Sequence, residues 1–192
     1  MPRLMRCLPV STLMIGLLAG CARPAAQSEA ATTIVADLLA DIAQVEEKLT
    51  SLGGAIPGDR WPWRPAEGAR SVAEVYLHIA ADNYLLPTAV GAAAPEATGI
   101  KGDDYSTVQA FEAKGLAKDE ALAEMARSFV HLRAALQAIP ASTMADSVSM
   151  FGMSFTRQSF LILTATHLHE HLGQLIAYAR SVGVVPPWSQ GN

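Results

Sequence analysis

The stretch TRQSFLILTATHLHEHLGQLIAYARSVGVVPP, residues 156–187, decides the fold that the sequence predicts. Apolar residues recur along it at steps of four and three, the period of an α-helix that buries one face. They are Leu161, Ala165, Leu168, Leu172, Leu175 and Ala179. The pattern stops at Gly183, and the Pro186-Pro187 pair beyond it cannot continue a helix. We therefore predict a helix from about Thr156 to Ser181 whose apolar stripe faces a helical bundle.

Three further helical patterns precede this helix. Apolar residues at three- and four-residue steps predict helices over about 32–51, 71–87 and 118–138, the second of which ends near Pro87 or Gly91. The second opens with Ser71 and Glu74 at the spacing of a capping box. Residues 91–115 form the longest connection, with at most one broken turn, around 107–114, and residues 141–155 cross over in partly extended form. No stretch alternates long enough to predict a sheet, so we expect an all-α four-helix bundle with a long crossover connection.

Three histidines fall where their rings could meet. His167 and His171 are four residues apart, so they project one turn apart from one helix face, at the edge of the apolar stripe. His78 lies beside the apolar stripe of the second helix and can face the last helix if the two are neighbours. Two imidazoles one turn apart and a third from a facing helix suit a divalent transition metal with one position left open. The alternatives are a hydrogen-bonded core residue for His78 and a chance His-x-x-x-His spacing for the pair.

Other residues near this pattern are interpreted differently. His169 points to the opposite side of the last helix and is left out of the site. His131 falls opposite the apolar stripe of its helix, where we expect it to be solvated. The zinc-protease motif is excluded, because Leu168 stands where that motif has its glutamate base and Glu170 points away from the His171 ring.

The first 20 residues resemble a lipoprotein signal peptide. Arg3 and Arg6 form a basic start, and the apolar residues 8–18 are too few to span a membrane but enough for a signal sequence. The tetrapeptide Leu-Ala-Gly-Cys that ends at Cys21 resembles the bacterial lipobox, in which cleavage precedes a lipidated cysteine. We predict a signal peptide over 1–20 and a flexible tether over 21–31 with a lipid anchor on Cys21. The alternative is an ordinary secretory signal or an anchor helix.

The signal places the expected location in the bacterial cell envelope, anchored on the periplasmic side of a membrane. Ala22, rather than Asp, after the cysteine resembles lipoproteins that are forwarded to the outer membrane. Cys7 would leave with the signal and Cys21 would carry lipid, so neither a disulfide nor a cysteine nucleophile is expected in the mature chain.

Composition narrows the functional classes. Removal of residues 1–20 takes away two of the 14 basic residues and none of the 18 acidic ones, which leaves 172 residues with a formal charge of −6. That length is enough for one domain with a sizeable core. A mildly acidic chain without a basic stripe argues against nucleic acid as a partner.

Several motifs together carry a family resemblance. They are Trp63-Arg64-Pro65, Arg70-Ser71-Val72-Ala73-Glu74 leading to His78-Ile79-Ala80, Thr156-Arg157, and the continuous segments 167–175 and 178–187. With them the chain resembles the DinB-like family of four-helix-bundle metalloproteins, which is related to bacterial thiol-dependent S-transferases. The resemblance implies a DinB-like bundle domain over 32–189, His78, His167 and His171 as metal ligands, and a homodimer. The metals of the family vary among zinc, nickel and iron, so the ion stays open.

Two functions follow from a site of this kind. The first is a metal-dependent hydrolase or transferase of unknown small-molecule substrate, in which the ion activates water or a thiol; the thiol version is weaker because low-molecular-weight thiols are cytosolic. The second is a non-catalytic envelope binding or stress protein with a structural or vestigial metal. In either case an outer set of polar side chains should orient the rings. The candidates are Asp82, Glu170, Gln174 and Tyr178. For Gln174 and Tyr178 the alternative is a rim contact or a helix-packing role.

Overall fold

Four long helices build the core, as the sequence predicts. The computed structural model describes residues 23–191, which form helices and one hairpin, with short 3-10 turns between them. The elements are α1 (Arg23–Ala55), α2 (Val72–Leu85), α3 (Tyr105–Glu112), α4 (Lys118–Gln137), β1 (Ser147–Met150), β2 (Met153–Thr156) and α5 (Arg157–Ser181). Helices α1, α2, α4 and α5 are the long ones, so the prediction of an all-α bundle is confirmed.

Helix α2 runs through the interior of the bundle. Twelve of its 14 residues are buried, which is the pattern of a helix that neighbours enclose on every side. The predicted capping box fixes its start. The Ser71 hydroxyl accepts a hydrogen bond from the Glu74 N–H at 3.2 Å, and the Glu74 carboxylate accepts one from the Ser71 N–H at 2.6 Å. Since α3, α4 and α5 all pack against α2, its polar side chains are placed between helices.

Helix α1 approaches α2 and α4 closely at a glycine. A Cβ atom at Gly53 would lie 2.6 Å from Leu122 Cδ2 and 2.8 Å from the Tyr76 hydroxyl. Tyr76 also stacks on Trp61, with ring centroids 4.7 Å apart, and donates a hydrogen bond to the Leu49 carbonyl at 2.8 Å. Because Gly53 has no side chain, the Tyr76 ring of α2 has room beside α1. Its hydrogen bond to Leu49 then links α1 and α2.

The first helix begins earlier than the sequence analysis expects. It starts at Arg23 rather than near Thr32, so residues 23–31, where a tether is predicted, have a helical backbone. Four of those nine residues are alanine, the strongest helix former, which accounts for the extension. The predicted signal peptide over 1–20 and the anchor on Cys21 lie outside the described residues. Among the helices that are described, none combines the length and the apolar character needed to cross a membrane.

The longest connection contains a true helix. The Asp104 carboxylate caps α3 by accepting a hydrogen bond from the Ser106 N–H at 3.0 Å, and Val108 and Phe111 bury its inner face. The expected position of a broken turn, around 107–114, nearly coincides with α3, but the structure has an eight-residue helix there instead of a single broken turn. Eight residues with only two buried apolar positions give too little periodicity for the sequence to reveal a helix.

The second crossover folds back as a hairpin. Strand β1 pairs antiparallel with β2, from Ser147 opposite Thr156 to Met150 opposite Met153. The turn residues Phe151 and Gly152 have φ of 55° and 74°, and two positive φ angles are what a type I′ hairpin turn requires. The predicted extended form is confirmed, whereas the expectation that no sheet forms is corrected. Four-residue strands are too short for alternation to stand out in the sequence.

Candidate metal centre

Two helices bring four potential ligands together. Helix α2 supplies His78 and Asp82, α5 supplies His167 and His171, and one ligand atom from each lies within 4.8 Å of every other. We call these four residues the His/Asp cluster. Three of them are buried, and the His167 side chain is 30% exposed. The structure thus brings the three predicted imidazoles together, one from the earlier helix and two from the later one.

The Nε2 atoms of the rings point toward one another. His167 Nε2 lies 3.1 Å from His171 Nε2 and 2.8 Å from Asp82 Oδ2. His78 Nε2 lies 3.2 Å from the same Asp82 oxygen. The centre of the cluster is therefore lined by three ring nitrogens and one carboxylate oxygen.

The Nδ1 atoms point outward to other side chains. His78 Nδ1 donates to Glu112 Oε1 at 2.6 Å, and His171 Nδ1 donates to Gln174 Oε1 at 3.0 Å. His167 Nδ1 lies 3.6 Å from Glu170 Oε2, which is an ion-pair distance and too long for a hydrogen bond. Two of the three rings are thus held by an acceptor on the side away from the cluster, the usual arrangement around a ligating histidine.

Some of the residues expected to orient the rings make these outer contacts, and others do not. Gln174 orients His171 as expected, and its amide donates to the Tyr178 hydroxyl at 2.9 Å, so both candidates lie in one hydrogen-bonded chain. Asp82 was expected among the outer residues but contacts the inward Nε2 atoms instead. The spacing of four residues from His78 places Asp82 on the correct helix face, but it does not tell which ring nitrogen the carboxylate reaches.

Glu112 is the residue that the sequence analysis missed. It is the last residue of α3, and it accepts hydrogen bonds from His78 Nδ1 and, at 3.3 Å, from Arg70 Nη2. The only signal in the sequence is the broken turn expected around 107–114, which does not fix where the Glu112 side chain points. Without α3 in place, nothing in the sequence directs this carboxylate to a histidine 34 residues earlier.

The titratable side chains of the site have pKa values shifted in different directions. The hydrogen bond to Asp82 raises the pKa of His167, although burial opposes it. Burial lowers the pKa of His171, which favours its neutral form. Burial alone would raise the pKa of Glu112, but hydrogen bonds and charges from His78 and Arg70 outweigh it and hold that pKa below the ordinary glutamate value.

The donor chemistry fits a metal ion. A neutral imidazole that donates through Nδ1 presents a lone pair at Nε2. His171 is such a ring, and its Nε2 faces His167 Nε2 at 3.1 Å. Its lone pair is therefore directed into the cluster, where a cation could accept it. Three imidazole nitrogens and a carboxylate oxygen are donors that zinc, iron and nickel accept. The cluster is therefore a group that could hold a divalent transition metal.

The two remaining histidines lie outside the cluster. His169 faces the other way, as predicted, and its Nε2 lies 2.9 Å and 3.0 Å from the two Asp41 carboxylate oxygens. His131 was expected to be solvated, which is wrong: it is half-buried, with its ring 5.5 Å from that of Tyr84. Among the described residues, no hydrogen-bond partner reaches the buried His131 Nε2.

Comparisons with known proteins agree with this architecture. The family model described as DinB superfamily matches residues 34–175. No curated protein matches the chain. A DinB-like protein of Bacillus cereus ATCC 10987 superposes with a TM-score of 0.64 at 14% identity, over 78% of this chain and 93% of that one. A DinB-like protein of Bacillus subtilis superposes with a TM-score of 0.59 at 18% identity, over 81% of this chain and 99% of that one. At these identities the two structures show a common fold only.

Proposed function

The chain belongs to the DinB superfamily, and from that premise and the His/Asp cluster we propose that it binds a divalent transition metal through His78, His167 and His171. The observation that carries the proposal is that the two nitrogens of each ring face different surroundings. Nε2 of each ring points into the cluster, while Nδ1 of His78 and of His171 is held by an outer acceptor.

Distances within the cluster support this proposal. Two donors that each lie about 2.0–2.1 Å from one zinc ion are roughly 3–3.5 Å apart when the coordination is tetrahedral. The 3.1 Å between His167 Nε2 and His171 Nε2 matches that separation. The identity of the ion stays open among zinc, nickel and iron, because all three accept imidazole ligands.

A metal held in this way supports a hydrolase or group-transfer reaction on a small molecule. When bound, the ion would act as a Lewis acid and acidify a water molecule. The 30% exposed side chain of His167 leaves one edge of the cluster open to solvent, and a substrate would need such access. The burial of His78, Asp82 and His171 is the observation that favours the second candidate, a non-catalytic envelope protein with a structural metal.

The metal site is tested by the metal content of purified full-length protein, measured by inductively coupled plasma mass spectrometry. His171→Ala should lose the metal that wild type retains, because it removes one of three nitrogen ligands. His169→Ala is the matched control, since this histidine lies two residues away on the same helix and contacts Asp41 instead. Equal metal content in wild type and His171→Ala would refute the site.

A chelator separates the two candidate functions. A structural ion should hold α2 and α5 together, so its removal would lower the melting temperature strongly. Metal-dependent catalysis requires in addition that hydrolysis of generic ester or amide substrates appears with the ion and disappears in His171→Ala. Hydrolysis that is the same in both proteins would eliminate the enzymatic proposal.

Export and lipid anchoring are the second part of the proposal. They rest on the basic start, the apolar residues 8–18 and the lipobox-like residues before Cys21, and they place the domain at a membrane of the cell envelope through acyl chains. Cys21→Ser should prevent lipidation and move the protein from the membrane to the soluble fraction. An unprocessed amino terminus in the wild type, found by mass spectrometry, would contradict the anchor. The homodimer likewise stays a prediction, which sedimentation velocity would check.

A further inference from the structure

We propose that Asp82 is a fourth metal ligand, so that the site is a three-nitrogen, one-oxygen centre rather than a histidine triad alone. This inference rests on the proposed metal site. It concerns which atoms coordinate the ion, and it assigns to Asp82 a direct role where an orienting role was expected.

The position of the carboxylate separates a ligand from an orienting residue. An orienting carboxylate contacts the ring nitrogen that points away from the metal, as Glu112 does at Nδ1 of His78. Asp82 Oδ2 instead lies 3.2 Å from His78 Nε2 and 2.8 Å from His167 Nε2. The 3.2 Å separation matches that of two donors to one ion, and the 2.8 Å separation is that of a hydrogen bond when no ion is bound. Both contacts put the oxygen on the same side of the rings as the Nε2 nitrogens.

Burial and charge point the same way. Asp82 is 6% exposed, and a buried carboxylate is costly unless a cation compensates its charge. Among residues whose side chains the structure describes, no lysine or arginine nitrogen lies within 4.0 Å of Asp82; its ion-pair contacts are the two imidazoles. A divalent ion between these groups would compensate the carboxylate and satisfy the facing Nε2 atoms at once.

The helices also make the assignment geometrically regular. His78 and Asp82 are four residues apart on α2, and His167 and His171 are four residues apart on α5. Residues four apart lie on one helix face, so each helix presents a pair of donors to the other. A carboxylate in the fourth position lowers the net charge of a divalent centre from +2 to +1, and its oxygen is a harder donor than imidazole. It also fills the position that a water would take in a tetrahedral site, so an activated water would have to enter as a fifth ligand.

The experiment compares metal binding by full-length wild type, Asp82→Asn and Asp82→Ala, with Zn²⁺ and Co²⁺ as probes. The matched control is Glu170→Gln, which removes a carboxylate 3.6 Å from the outward nitrogen of His167. Competition titration gives the Kd for Zn²⁺, and the visible absorption of bound Co²⁺ reports the ligand set. Circular dichroism identifies any variant that fails to fold. If Asp82→Ala does not fold, the nearly isosteric Asp82→Asn provides the comparison with wild type.

We expect Asp82→Ala to raise the Kd for Zn²⁺ by more than 100-fold, above the 10–100-fold typical of an orienting residue. Both Asp82 variants should also change the Co²⁺ spectrum, whereas Glu170→Gln should leave it unchanged. An unchanged spectrum in Asp82→Asn and Asp82→Ala would overturn the inference, whatever the change in Kd. If His171→Ala still lost its metal, the proposed histidine site would survive that result. If the wild type bound neither ion, both proposals would fall together.

Discussion

Glu112 offers the sharpest test of how the candidate site is held. Its carboxylate accepts a hydrogen bond from His78 Nδ1 at 2.6 Å and is 16% exposed. Replacement by leucine removes the acceptor and leaves the buried Nδ1–H of His78 without its partner. Replacement by glutamine keeps an oxygen that can accept the same hydrogen bond but removes the negative charge.

The magnitude follows from the two contacts that Glu112 makes. Loss of an outer residue that orients a ligating histidine costs about 10–100-fold in metal affinity, which is about 1.4–2.8 kcal/mol. The short, partly buried and charge-assisted bond to His78 places Glu112→Leu near the upper end of that range. Glu112→Gln should fall near the lower end. The second contact, to Arg70, is 3.3 Å long with an arginine that is 38% exposed, and such pairs contribute about 0–1 kcal/mol.

The assay is competition titration with Zn²⁺ on folded protein, and Arg70→Gln is its matched control. Arg70→Gln removes only the ion pair between the exposed Arg70 and Glu112 and keeps the bond from Glu112 to His78. The Kd for Zn²⁺ should therefore change by less than about fivefold. Equal Kd values for Glu112→Leu and wild type would refute the reasoning, because the contact with His78 would then have no influence on the metal. Equal losses in Glu112→Leu and Arg70→Gln would assign the effect to the charge network rather than to ring orientation.

Two further predictions concern the helices around the site. Ser71→Ala removes the hydroxyl that accepts the Glu74 N–H at the start of α2, and it should lower the free energy of unfolding by about 1 kcal/mol in urea denaturation; no change would mean that the cap adds nothing in this context. Burial lowers the pKa of His131, so as the pH falls below about 6.5 the unfolded chain takes up this proton first and the contribution of His131 to stability is lost. His131→Gln should therefore lose less melting temperature than wild type between pH 7 and pH 5, with both proteins metal-free, and parallel curves would contradict the assignment.

Helical periodicity explains what the sequence could predict. The alternating four- and three-residue steps of α5 fix both its length and the face on which His167 and His171 stand. The capping box at Ser71 fixes the start of α2 and thereby the side on which His78 emerges. These are local properties of single helices, and the meeting of the three rings required only that α2 and α5 be neighbours.

The elements that the sequence did not reveal are those whose form depends on the rest of the molecule. Helix α3 has eight residues and two buried apolar side chains, and an isolated helix of that length is unstable in water. It forms because Val108 and Phe111 pack onto the interior, against α2. The hairpin from β1 to β2 is equally short, and tertiary packing of Val148 and Met150 stabilises it.

Which ring nitrogen of His78 each carboxylate contacts also depends on the rest of the molecule, so the sequence does not predict it. This contact decides the role of each carboxylate. Asp82 and Glu112 are both acidic residues that contact His78, at Nε2 and Nδ1 respectively. Asp82 lies on the same helix as His78, and the spacing of four residues alone predicts their contact. Glu112 lies on α3, and its position cannot be predicted unless that short helix is recognised in the sequence. Which contact faces a metal and which orients the ring depends on the rotation of the imidazole, and the rotation is set by α3 and α5 together. A prediction built on spacing can therefore name the histidines, but it assigns the carboxylates only after the short helix has been placed.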